Sequence, residues 1–139
     1  MSPQKSKVEA YLEAKRAQID RLGPEAAYEV IAKKDGAILI DTRPAAYRES
    51  EGSVPGAVIV ERNVLEWRLD PSSPDCIEEA RIQGFKPIVM CNEGYASSLA
   101  AQVLVELGVN TAVDLEGGFR AWKARGLPVS QGQEDSVKQ

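Results

Sequence analysis

The stretch Pro87-Ile88-Val89-Met90-Cys91-Asn92-Glu93-Gly94-Tyr95-Ala96-Ser97-Ser98 decides how this chain is read, because it runs from an apolar segment through a glycine-bearing turn into a helix. A short, continuous apolar run is the pattern of a strand buried on both faces of a parallel sheet. From Tyr95 to Leu107 the residues Leu99, Ala100, Val103, Leu104 and Leu107 recur on one helical face, and Gly108 stands at the terminating position. Cys91 is thus expected between a strand end and a helix start, where backbone N–H groups have no intrahelical partners. Those donors and the helix dipole favour thiolate over thiol, and the same cradle can hold an oxyanionic substrate against the sulfur. Gly94 suits a turn that needs unusual dihedrals. The blander reading is that Cys91 is a small hydrophobe closing a core strand, as most lone cysteines are.

Working outward, Ala37-Ile38-Leu39-Ile40 is a second such run, ending at Asp41-Thr42-Arg43-Pro44. Ala57-Val58-Ile59-Val60, after the turn Gly52-Ser53-Val54-Pro55-Gly56, and Ala112-Val113-Asp114-Leu115 read as two more strands. Between them, residues 64–70 with Trp67 and residues 75–83 read as short helices, and a last helix surrounds Phe119 and Trp122 before Gly126-Leu127-Pro128. Upstream, Val8, Tyr11, Leu12 and Ile19 suggest an amphipathic helix over residues 6–22, and Gly23-Pro24 opens another that carries Ala26, Ala27, Val30 and Ile31. The alternation implies an α/β domain: a mostly parallel sheet of about four to five strands with helices on both faces. Residues 130–139 read as a polar tail expected to be disordered. In open sheets of this kind the site lies at the carboxyl ends of the strands. Asp41 to Arg43, Glu61-Arg62 and the Cys91 loop should therefore meet on one rim.

Composition narrows the chemistry. With no histidine among 139 residues, Ser-His-Asp triads, Cys-His dyads and nearly all catalytic zinc sites are excluded. Cys76 and Cys91 are the two cysteines and do not form a Cys-x-x-Cys pair, so neither a disulfide framework nor a thiolate metal site is indicated. Cys76, in an acidic segment without a cationic neighbour, is expected to be inert. A net charge of -4 with intermixed signs argues against nucleic acid. No apolar run approaches the roughly eighteen residues of a membrane span, and the start lacks a secretory signal, so a soluble cytoplasmic protein is expected.

Four motifs in order resemble the rhodanese family over about residues 22 to 129, which implies one domain over 22–129 with residues 1–21 as a helical extension before it. Leu39-Ile40-Asp41-Thr42-Arg43 is similar to its strand ending in Asp-x-Arg, and Gly52-Ser53-Val54-Pro55-Gly56-Ala57 to its Gly-His-Ile-Pro-Gly-Ala turn. Cys91-Asn92-Glu93-Gly94-Tyr95-Ala96-Ser97 is similar to the active-site loop Cys-x-x-Gly-x-Arg-Ser, and Leu115-Glu116-Gly117-Gly118-Phe119-Arg120-Ala121-Trp122 with Gly126-Leu127-Pro128-Val129 to the closing Gly-Gly, Trp and Gly-x-Pro-Val. The resemblance implies a sulfurtransferase: the Cys91 thiolate takes the outer sulfur of a donor such as thiosulfate and passes it from a persulfide to cyanide or another thiol. Such ping-pong chemistry needs no metal or organic cofactor. It also implies that the backbone of Asn92, Glu93, Gly94, Tyr95, Ala96 and Ser97 binds the transferred group.

Two departures bear on substrate. Ala96 stands where many members carry Arg, and Glu93 adds negative charge to a loop that receives an anion. Arg43 and Arg62 could supply positive charge instead, or serve in ion pairs, and Asp41 reads as a loop-fixing hydrogen-bond acceptor. A phosphatase of related fold needs an arginine six positions after the cysteine, where this chain has Ser97. The stronger rival is a non-enzymatic module that uses this fold to bind a protein or sense redox state. Residues 6–22 read as packed on their own domain or as a docking or dimerisation helix. Trp67 and Trp122 are expected in the core, and Tyr95 is expected to shape acceptor access.

Overall fold

A computed structural model describes residues 4–131. Five parallel strands form one sheet in the order β1-β5-β4-β2-β3: β1 Asp20–Leu22, β2 Ala37–Asp41, β3 Val58–Ile59, β4 Lys86–Met90 and β5 Val113–Leu115. Among the described residues six α-helices surround it: α1 Lys7–Arg16, α2 Pro24–Ala32, α3 Ala45–Glu51, α4 Leu65–Leu69, α5 Ala96–Glu106 and α6 Gly118–Ala124. The strand pleat divides the core into two layers. Ile40 and Val89 point to the face covered by Leu65, Leu69, Ala101 and Leu104, while Leu39, Ile88, Met90 and Leu115 point to the face covered by Ala27, Phe119 and Trp122.

The amino-terminal segment differs from its sequence reading. The helix begins at a capping box, in which Ser6 Oγ accepts from the Glu9 N–H and the Glu9 carboxylate accepts from the Ser6 N–H, but it ends at Arg16. Residues 20–22 instead pair in parallel with β5 and add an edge strand. Val8 and Tyr11 remain exposed, while the helix packs on α5 with Leu12, Lys15 and Arg16 half-buried and Arg16 bonded to Ser98, and Ile19, just before β1, packs against the core. Helical spacing holds for Val8, Tyr11 and Leu12, whereas Ile19 lies in the turn between α1 and β1.

Three other expectations change. Trp67 is 59% exposed, because α4 is little more than one turn and buries Leu65 and Leu69, leaving the residue midway between them on the opposite face. Trp122 is buried as expected, and its indole N–H donates to the Pro128 carbonyl at 2.8 Å. Residues 75–83 carry only a 3₁₀ turn at Glu78–Arg81. Ser130, assigned to the tail, exchanges backbone hydrogen bonds with Ser53 at 2.7 and 2.8 Å; residues 132–139 lie outside the described region. No described helix is long and apolar enough to cross a membrane.

Candidate active site

The carboxyl ends of β2 and β4 and the segment after β3 open into a cleft of about 590 Å³ lined by Thr42, Arg43, Pro44, Tyr47, Glu61, Arg62, Asn63, Cys91, Asn92, Glu93, Tyr95 and Ala96. The rim expected from the strand order is therefore assembled, and seven of the nine predicted site residues line it. The other two, Gly94 and Ser97, lie at the sulfur itself. The N–H groups of Gly94 and Ser97 donate to Cys91 Sγ at 3.1 and 3.3 Å, and the thiol lies 3.2 Å from Ser97 Oγ. These are the free donors of the turn and of the first helical turn, collected around one atom.

The loop keeps this shape because α6 holds its carbonyls. Phe119 and Arg120 N–H donate to the Cys91 and Asn92 carbonyls at 2.9 and 3.0 Å. Close approach needs the paired glycines: a Cβ at Gly118 would sit 2.5 Å from the Cys91 carbonyl oxygen, and one at Gly94, where φ is +88°, would sit 2.8 Å from the Gly117 nitrogen.

Arg43 borders the cleft, but its guanidinium is committed inward. It is 2% exposed, donates to both Asp41 oxygens at 2.9 and 3.1 Å, to the Gly52 carbonyl at 2.9 Å and to Asn92 Oδ1 at 3.2 Å, and stacks 4.0 Å from the centre of the Phe119 ring. Of the two readings open for it, the ion pair is realised. Asp41 also accepts from the Arg43 backbone N–H at 2.9 Å, the loop-fixing role read from its position. Arg62 stays partly exposed at the mouth and pairs with Glu66 at 2.9 Å. Glu93 is paired 3.1 Å from Arg120, whose guanidinium also binds Glu51. Arg120 and, after it, Asn92 hold the Glu51 carboxyl below its usual range. Tyr95 is exposed and lines the same cleft as Cys91. Cys76 Sγ has its polar contact at the Pro71 carbonyl, 3.9 Å away, and does not line the cleft.

Sequence reasoning missed Tyr47, which enters the cleft from α3. Pro44 and Gly52 around a run of helix formers were the signal, but the segment is too short for apolar periodicity. It also missed Asp114. This wholly buried carboxylate accepts from both the Ser97 and Ser98 hydroxyls and from Arg21 Nε at 2.8 Å. An acid at the centre of a three-residue buried strand was the signal.

Comparison with known proteins agrees with this architecture. The family model of the rhodanese-like domain matches residues 24–125. The thiosulfate sulfurtransferase GlpE of Pseudomonas putida strain F1 is 31% identical over 109 residues, covering 78% of this chain and 88% of the relative. A Rhodopseudomonas palustris structure, described as of unknown function and a possible tyrosine phosphatase, superposes with TM-score 0.79 at 26% identity over 94% of this chain and all of its own. The polysulfide-sulfur transferase homodimer of Wolinella succinogenes superposes with TM-score 0.66 at 23% identity, covering 91% of this chain and 89% of that one. Strand order, loop and closing glycines thus have the same explanation: the chain belongs to the rhodanese-like domain family.

Proposed function

We propose that the protein is a sulfurtransferase that carries a sulfane sulfur on Cys91. The observation that carries this reading is the convergence of the Gly94 and Ser97 N–H groups on Cys91 Sγ at the floor of an open cleft. With thiosulfate as donor, the thiolate attacks the outer sulfur, the new Cys91 S–S bond forms, and sulfite leaves with the electron pair of the broken bond. A thiophilic acceptor then attacks the outer persulfide sulfur. Cyanide leaves as thiocyanate, an acceptor thiolate leaves as its own persulfide, and the Cys91 thiolate is restored. The sulfur is the nucleophile and the leaving group in turn, so no general base is required beyond what ionises the thiol. Amide donors fixed around Cys91 stabilise the negative charge that resides on this sulfur and on the persulfide.

At the mouth, Arg62 offers partly exposed positive charge, while Tyr47 and Tyr95 give flat apolar surface against which an acceptor can rest. A phosphatase reading lacks the guanidinium that would grip a phosphate, because Ser97 occupies the sixth position after Cys91. Single-turnover loading tests the proposal: the protein is incubated with thiosulfate, with mercaptopyruvate and with polysulfide, and intact mass is measured. A gain of one sulfur that disappears in Cys91→Ser is expected. No gain from any donor would favour a rhodanese-fold binding or redox-sensing module.

A further inference from the structure

Behind the loop, on the side away from the cleft, the amino-terminal segment reaches the machinery of Cys91 with two arginines. Arg16, the last residue of α1, donates through Nη2 to the Gly94 carbonyl at 2.7 Å and through Nε to Ser98 Oγ at 2.9 Å. Arg21, at the centre of β1, is in register with Asp114 of β5 and donates to it through Nε. Asp114 in turn accepts from the Ser97 and Ser98 hydroxyls, and Ser97 Oγ lies against the sulfur. Neither arginine falls within residues 24–125, the span of the family match. A carboxylate two hydrogen bonds from a thiolate opposes its ionisation and draws the Ser97 hydroxyl hydrogen away from the sulfur, whereas cations placed behind the loop favour ionisation.

We propose that Arg16 and Arg21 are positioning residues that supply from behind the Cys91 loop the positive charge that Ala96 does not supply within it, Arg21 by neutralising Asp114 and Arg16 by placing its charge against the Gly94 carbonyl and the Ser98 hydroxyl. The charge at the loop is thereby set by a segment outside the family match. The inference gives the sulfurtransferase reading its source of thiolate but is tested apart from it. The rate of Cys91 alkylation by iodoacetamide reports the thiolate without any sulfur donor. It is followed by peptide mass mapping at a pH where the rate still rises with pH, with Cys76 as internal reference.

Arg16→Gln and Arg21→Gln are each expected to slow alkylation of Cys91 by about threefold or more, with Cys76 unchanged. Asp114→Asn is expected to speed it, because a negative charge is removed and the Ser97 hydroxyl is freed to turn to the sulfur. The double variant Arg21→Gln/Asp114→Asn returns toward the parent rate. A network that only packs the loop would slow alkylation in all of these, so slowing by Asp114→Asn, or no change in either arginine variant, overturns the proposal. Should Asp114→Asn fail to fold, Arg16→Lys decides: it keeps charge without the two-pronged grip and is expected to recover most of the rate lost in Arg16→Gln, whereas a rate as slow as that of Arg16→Gln overturns the proposal. If the alkylation pattern holds while no donor loads sulfur, the network stands and the sulfurtransferase reading falls.

Discussion

Two aspartate–arginine pairs, each with a buried carboxylate, hold the two ends of the Cys91 loop, and they are built in opposite ways. Asp41 and Arg43 are two residues apart at the end of β2, both about 1% exposed at their side chains, and Arg43 passes the contact on to Asn92 at the start of the loop. Asp114 and Arg21 come from opposite ends of the chain, meet through the parallel register of β1 and β5, and pass the contact on to Ser97 at the end of the loop. The first pair is sealed by Phe119 and the Gly52 carbonyl, whereas the Arg21 side chain is 20% exposed. Sealing raises the cost of losing a partner, because a charge left without water or counterion has no alternative. The Asp41 pair should therefore govern stability and the Asp114 pair reactivity.

The largest effect should come from Arg43→Ala, which strands Asp41 in a dry environment: a loss of about 3–5 kcal/mol in denaturant-monitored unfolding. Arg21→Ala leaves Asp114 with two hydroxyl donors and a route for water, and should cost about 1–2 kcal/mol. Equal losses for the two variants would abolish the distinction between a structural and a functional pair. Gly94→Ala falls between these two. A Cβ 2.8 Å from the Gly117 nitrogen, at a φ of +88°, should cost about 1–3 kcal/mol and slow Cys91 alkylation as the donors swing off the sulfur. Retention of wild-type stability and alkylation rate would show that the close contact of the loop with the Gly117-Gly118 turn is dispensable.

Ser97→Ala sharpens the same comparison on the reactivity side. It removes the hydroxyl that accepts from the thiol and gives its own hydrogen to Asp114, while keeping both backbone donors to Cys91 Sγ, so sulfur loading should persist within about tenfold of the parent rate. Loss of loading at intact fold would move Ser97 from a supporting to an indispensable role.

The difference between the pairs also explains what the chain reveals before it is folded. Asp41-Thr42-Arg43 is local: strand end, acid and arginine lie together, so its loop-fixing role can be read from adjacency. The Cys91 turn is likewise local, since one apolar run, one glycine and one helix place the sulfur. Arg21 and Asp114 are joined only by strand order, and Arg21 falls in a stretch whose apolar spacing with Val8, Tyr11 and Leu12 extends the helix too far. A three-residue edge strand has too few alternations to compete with that pattern. The same brevity hid α3 and its Tyr47, and turned Trp67 outward on a five-residue helix where size alone argued for the core.

The smallest effect tests whether a third acid contributes to the loop by charge. Glu51 receives Arg120 at 3.2 Å and Asn92 at 3.2 Å, so it ties α6 to the start of the loop from the solvent side. Because Arg120 foremost, and Asn92 after it, holds the Glu51 carboxyl below its ordinary 4.5, the folded state binds this proton less readily than the unfolded chain. The resulting stabilisation is fully present above the ordinary carboxylate range and is lost as pH falls from there through the lowered folded-state value. Arg120 is more than half exposed, so solvent screens the pair and the effect is modest. Arg120→Ala should lower the urea midpoint slightly at neutral pH, and its curve should converge on that of the parent as Glu51 is protonated on acidification. A gap of constant size across that range would mean that Arg120 acts through packing against the loop rather than through charge.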